Sequence, residues 1–258
     1  MSLFTGITNL LNKINEFITP IKKDNNDTSP LKSNLTNKYN EALAKHLNIS
    51  PSNTFHIADL AEKYETSNRG PGYISSGINW GDPGGDSYGS YQIETAQGTM
   101  KDYLTTVDDM FTRELKLLPI NSPSFMKTWK DLANTYPDLF QESQFKFLCN
   151  KHNGYSDALA YARRLGWSVD NFAIQSAIFS TSNQSGEWKN IFNAANIKAA
   201  DNAPTQINKI YDARAEYFKS LSSINTKIKR NIMQQRCGKN LDMSNYNGSN
   251  ERKDCLEL

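Results

Sequence analysis

The sequence predicts an α+β domain that is mainly α-helical and carries a small antiparallel sheet. Three observations lead there. Apolar residues recur at helical spacing over most of residues 95–222, giving each segment one apolar face. Residues 66–90 break that pattern with Gly, Ser and Asn. Beside this break GYIS and YGSYQI alternate with the period of short strands, with turns expected at Gly77 and at PGG in 83–85.

At the N-terminus, Phe4, Ile7, Leu10, Leu11, Ile14, Phe17 and Ile18 share one helical face, and Pro20 ends it. Such a helix either packs on its own domain or docks a partner or carrier. Its polar face is not basic, which disfavours a membrane surface. Residues 22–37 are polar, contain Pro30 and lack an apolar period, so they read as a linker. The expected division is therefore 1–36 for helix and linker, 37–225 for the folded domain and 226–258 for a polar tail. Asn37 is placed to cap a helix over KYNEALAKHLN. A second helix runs from Ile57 to Glu65, with Ile57, Leu60, Ala61 and Tyr64 on one side. Further helices are expected near 95–115, 123–135, 138–151, 155–165, 170–183, 186–196 and 203–222. Their core would include Trp129, Leu132, Phe140, Phe145, Phe147, Leu148, Phe172, Ile174, Ala177, Ile178, Tyr211, Tyr217 and Phe218. From about residue 232 the chain is polar again and reads as a mobile tail.

Composition narrows the function. Apolar residues make up 38% of the 258, below the usual ~45–50%. Mean hydropathy is -0.65, as expected if part of the chain is linker or tail. A net charge of +2 excludes a nucleic-acid binder driven by a strong global field. An aromatic share of 11% suits a folded domain with a groove. Apolar runs stay too short to span a membrane. The first residues lack the basic start and long apolar block of a secretory signal. The three cysteines give neither a disulfide framework nor zinc spacing. Cys149 lies in an apolar helical run and reads as a buried thiol. Cys237 and Cys255 either close a loop in an oxidising space or stay free.

Chemistry concentrates in KYETSNRGPGYISSGINWGDPGGDSYGSYQIE, residues 63–94. Glu65 falls where a helix ends, and Asp82 and Asp86 fall in the Gly-rich loop and hairpin. Glycoside hydrolysis needs one carboxylic acid to protonate the leaving oxygen, and a second, ionised carboxylate to activate water or meet the sugar cation. An apolar wall such as Tyr64 and Trp80 would keep the first protonated, while a wet loop would keep the second ionised. Tyr73, Tyr88 and Tyr91 offer flat faces and hydroxyls for sugar rings, and Gln92 offers an amide. Thr181, Asn183 and Gln184, at another helix end, are candidate sugar contacts or supports for Glu65. Two plainer readings stay open. A long Gly-rich loop can hold three carboxylates by chance. A calcium loop is the other, although GDPGGDSYG lacks the EF-hand spacing. His46, His56 and His152 show no metal spacing, and Asp102, Asp108 and Asp109 read as a solvated helix face. Arg163 and Arg164 read as a surface pair that could also touch an acidic strand.

The string Glu65, Ser67, GYISSG at 72–77, GDPGG at 81–85 and SYGSYQ at 87–92 resembles the core of a lysozyme-like, chitosanase-related muramidase family. That family includes C-terminal extensions of some type VI secretion spike proteins, related effectors and phage endolysins. FMKTWKDLANTYPDLFQESQFKFL, IFSTSNQSG at 178–186 and YDARAEYF at 211–218 extend the resemblance, which covers about residues 40–222. It implies a lysozyme-like fold, its small sheet lining a cleft, and hydrolysis of β-1,4 bonds in peptidoglycan without a cofactor or metal. Glu65 matches the family's acid and Asp82 its second carboxylate, acting by an inverting scheme. Asp86 falls at a variable position, and Ser185 stands where the family has a histidine. The lack of a signal peptide, with a target in the periplasm, implies synthesis in the cytoplasm and delivery by a secretion spike, carrier or phage release. Residues 1–35 would dock, and an immunity protein would block the cleft. A lytic transglycosylase using Glu65 alone, and a wall-binding module without turnover, are the alternatives.

Overall fold

Local capping signals decide where the helices begin and end. The computed structural model describes residues 56–76, 85–221, 232–238 and 250–258. All belong to the second of two units into which the chain divides, residues 53–258. The expected helices over 4–18 and 38–48, the linker 22–37, and Gly77, Trp80 and Asp82 lie outside the described residues.

Helix α1 spans Asp59–Thr66. The Asp59 carboxylate accepts the His56 backbone N–H at 2.7 Å, and Asp59 and Glu62 oppose the positive end of the helix dipole. The helix stops because Ser67 and Asn68 both take left-handed backbone, φ 57° and 58°. Three two-residue strands follow: β1 (Ile74–Ser75), β2 (Ser87–Tyr88) and β3 (Ile93–Glu94). They form one antiparallel sheet in the order β1-β2-β3. Ile74 pairs with Tyr88 and Tyr88 with Ile93, so these side chains share a face. At Gly89, φ is +79° and a Cβ would sit 2.1 Å from Gln144 Oε1, so the turn after β2 requires glycine.

The expected helix over 95–115 is two: α2 (Thr99–Thr106) and α3 (Met110–Leu115). Asp109 separates them. Its carboxylate accepts the backbone N–H groups of Phe111 and Thr112, and Thr112 completes a capping box. Asp109 is thus a cap rather than part of a solvated face. Asp108 is exposed and pairs with Arg113 at 2.7 Å. Next come α4 (Pro123–Thr135) and α5 (Pro137–Asn150), each with proline in its first turn. They are followed by α6 (Tyr155–Arg164), α7 (Phe172–Gln184), α8 (Trp188–Ala195) and α9 (Ala203–Ser220).

Helix α7 is buried on nearly every side, from Ala173 through Ser182, which makes it the centre of the core. It packs against α1, α6 and α9. Trp129 and Phe140, both fully buried, meet edge to face at 4.6 Å. Of the expected core, Phe145, Phe172 and Tyr217 are only half-buried.

The described parts of 226–258 correct the tail reading. Residues Ile232–Arg236 form a π-helical turn, and α10 (Glu251–Leu256) starts at the Asn250 cap. Both pack on α9, and α10 also packs on α1 and α7. Cys237 and Cys255 are completely buried and are free thiols, held up at about 11 and about 12 by burial. Their polar neighbours are buried because they are paired, as described next.

Candidate active site

Glu65 occupies the last turn of α1, its side chain 17% exposed. Arg236, from the π-helical turn, places Nη2 2.8 Å from Glu65 Oε1. The same nitrogen donates to the Tyr64 carbonyl at 3.0 Å. Arg236 Nη1 reaches Glu251 Oε2 at 2.9 Å. Glu251 Oε1 in turn accepts from Arg214 Nη1 at 2.9 Å, from the Tyr211 hydroxyl at 2.8 Å and from Ser180 Oγ. Arg214 Nε donates to Gln184 Oε1 at 2.6 Å. The chain Glu65, Arg236, Glu251, Arg214 draws on α1, the π-helical turn, α10 and α9, and its neutral partners Ser180 and Gln184 come from α7 and Tyr211 from α9. Two cations and two anions alternate along it.

Arg214 and Glu251 are both fully buried. Burial works to raise the Glu251 carboxyl, but Arg214, Arg236 and the hydrogen bonds from Ser180 and Tyr211 outweigh it and hold it below its ordinary 4.5. For Arg214, burial acts downward and Glu251 outweighs it, so its pKa is raised. Burial, then Glu251, pushes the Tyr211 hydroxyl well up. A second tie anchors α10 to α1. Asp254 Oδ2 accepts from Lys63 Nζ at 2.6 Å and from the Tyr64 hydroxyl at 2.5 Å.

The other expected site residues are placed differently. Tyr88 is fully buried, edge-on to Phe125 and Trp129, and donates to Asn121 Oδ1. Tyr91 is 2% exposed and packs on Phe179. Neither ring can meet a sugar, because both fill the core under the sheet. Thr181 is fully buried and donates to the Ala177 carbonyl. Gln92 folds back on the Gly89 carbonyl at 3.2 Å. Asn183 is half-buried and donates to the Tyr91 carbonyl at 3.4 Å. Gln184 braces Arg214.

Asp86 is 5% exposed, with Oδ1 unpartnered. Its carbonyl accepts from Thr95 N–H, which extends the β2–β3 ladder and puts its side chain on the buried face with Tyr88. Tyr73 is half-buried, and the guanidinium of Arg69 covers one ring face at 4.6 Å. Of the expected aromatic contacts, Tyr73 is therefore the ring that stays at an accessible edge.

Sequence reasoning missed Arg236, Glu251 and Arg214. A signal existed for Arg214 alone, since it lies on the stripe Tyr211, Arg214, Ala215, Phe218, and an arginine on an apolar stripe requires a buried partner. A hollow of about 350 Å³ lies on another flank of α1, between Asp59, Glu62, Lys63, Asn68 and Asp254, and does not include Glu65. Among the described residues no group of three His, Cys, Asp or Glu could hold a metal ion. His56 packs on Phe145, and His152 is exposed.

Residues 57–239 match the family model described as type VI secretion system spike protein VgrG3-like, C-terminal. The match covers more than half of the chain, which belongs to that family. The type VI secretion system spike protein VgrG3 of Vibrio cholerae serotype O1 is 37% identical over 143 residues, 54% of this chain and 14% of that protein. The chain thus spans a small part of that relative's length. These findings correct the resemblance to a lysozyme-like, chitosanase-related muramidase family. The family that matches is defined on the spike protein's C-terminal part, and neither name is that of a muramidase, a chitosanase or an endolysin. Among the described residues no helix is long and apolar enough to cross a membrane.

Proposed function

We propose that this member of the VgrG3-like C-terminal family hydrolyses β-1,4 glycosidic bonds in peptidoglycan glycan strands, with Glu65 as general acid. The observation that supports it is Glu65 itself. It is a partly exposed carboxylate at a helix end, fixed through one oxygen by Arg236, and among the described residues its Oε2 has no partner. A proton donor must be oriented before it is useful. Arg236 supplies the orientation. Glu251, lying between Arg236 and Arg214, holds the Arg236 guanidinium in place.

The second carboxylate in this reading is Asp82, which would position water for attack from the far side of the sugar. Inversion requires a carboxyl separation of roughly 6.5–9.5 Å. Asp86, buried with its backbone carbonyl in the β2–β3 ladder, takes no step in this scheme. No cofactor enters the scheme. Delivery follows the family: a type VI spike or carrier brings the chain to the target wall, residues 1–35 dock it, and an immunity protein protects the producer.

The test is digestion of purified peptidoglycan by wild type, Glu65→Gln and Asp82→Asn, with mass spectrometry of the soluble fragments. Reducing-end fragments from wild type, lost in both variants, are the expected result. Anhydro products that survive Asp82→Asn would move the chain to the transglycosylases. Binding to sacculi with no soluble fragments would leave a wall-binding module and overturn the hydrolase. Deleting residues 1–35 is expected to leave digestion intact and abolish delivery into target cells. Loss of digestion on deletion would remove the docking role.

A further inference from the structure

We infer that Arg69 is a specificity-determining residue that selects carboxylate-bearing glycan strands over neutral ones. The inference rests on the glycosidase reading of Glu65 and names the substrate class at that site. Arg69 follows Glu65 by four residues. The two left-handed residues between them, Ser67 and Asn68, carry the chain off the end of α1 toward the sheet. Ser67, Asn68 and Arg69 are all exposed, so this rim is open to a polymer.

Arg69 is not a freely waving side chain. Its guanidinium lies over the Tyr73 ring at 4.6 Å. Tyr73 is fixed in turn: its N–H donates to the Gly70 carbonyl at 3.1 Å, and its carbonyl accepts from Gly89 N–H at 2.7 Å, which ties it to the turn after β2. The stack holds the guanidinium plane while leaving its edge uncovered. Four other arginines spend that edge on carboxylates: Arg113 on Asp108, Arg214 and Arg236 on Glu251, Arg252 on Asp212. Arg69 makes no hydrogen bond or ion pair among the described residues, so its donors stay available.

A planar guanidinium, preorganised and unpaired four residues on from the candidate acid, fits a carboxylate in two-point contact. Neutral chitin-type strands carry no such group. Peptidoglycan strands carry carboxylates on their lactyl-linked peptides.

The experiment measures binding of full-length Glu65→Gln protein to purified sacculi, untreated or with carboxylates converted to amides. The Glu65→Gln parent keeps the sacculi whole during the measurement. It is expected to bind untreated sacculi roughly tenfold more tightly than amidated ones, the scale of one charge-assisted contact. Adding Arg69→Gln should abolish that preference, and Arg69→Lys should restore it only in part. Lys130→Gln removes an equal charge from the exposed face of α4 and should keep the preference. Discrimination that survives Arg69→Gln, an equal loss in Lys130→Gln, or a parent that shows no preference or no binding would each overturn the inference. Failure of the glycosidase reading would appear separately, as sacculi that wild type binds but does not cut.

Discussion

The small sheet and the C-terminal segment are held to the rest of the fold by opposite means. On the sheet side the contacts are apolar and backbone-directed. Tyr88, Tyr91 and Ile93 are buried, and Gln144 clamps Ser90 and Pro71. On the C-terminal side the contacts are charged, running from Glu65 through Arg236 and Glu251 to Arg214. Packing degrades gradually, because neighbours relax into a small gap. A buried charge network does not, because removing one member leaves another charge without a partner. The C-terminal side should therefore be the brittle one, and it is also the side that grips Glu65.

The comparison can be broken first at its largest expected effect. Glu251→Gln keeps the shape of the side chain but leaves Arg214 and Arg236 facing a neutral amide. It should cost about 3–5 kcal/mol of stability by denaturant unfolding. A cost below about 1 kcal/mol would mean the network carries little.

The pH dependence sharpens the same point. Glu251 is depressed below its ordinary 4.5, so its stabilisation is fully present above pH 4.5. It is lost as pH falls below that value through the folded pKa. Wild type should lose stability with acidification in that window more steeply than Glu251→Gln, read as melting temperature against pH. Parallel profiles would contradict the assignment.

The smallest effect belongs to the sheet side. Tyr88→Phe removes the hydroxyl bonded to Asn121 Oδ1 at 2.8 Å and keeps the ring among Phe125 and Trp129. It should cost about 1 kcal/mol and leave fragment release unchanged. A large loss of release would return Tyr88 to the binding surface.

These two sides also explain what the sequence could and could not tell. Periodicity located α1 and α4–α9, and Gly-rich alternation located the sheet, because both signals are local. The break at Asp109 was missed because a cap is a matter of one side chain against two N–H groups. Tyr88 and Tyr91 looked like binding residues because aromatics in a Gly-rich loop suit sugars. Alternation alone does not say which face the core takes. The C-terminal segment looked solvated because it is rich in charge, and charge is exposed by default. Its pairing joins Glu65 to Arg236 across 171 positions of sequence, and nothing local marks that. The place of Glu65 at a helix end before the Gly-rich string was legible, because that break is local. The type VI setting was legible from that string, while the broader family drawn from it was not the one that matches.

The most direct test of the account is steady-state release of reducing ends from solubilised peptidoglycan by Arg236→Lys, with its melting temperature measured in parallel. Lysine keeps the charge but cannot bridge Glu65, Glu251 and the Tyr64 carbonyl at once. If Arg236 orients the acid, kcat falls about tenfold or more while KM and melting temperature stay close to wild type. An unchanged kcat, or a loss of rate that only follows a loss of stability, would contradict the claim that the C-terminal segment holds Glu65 ready to act.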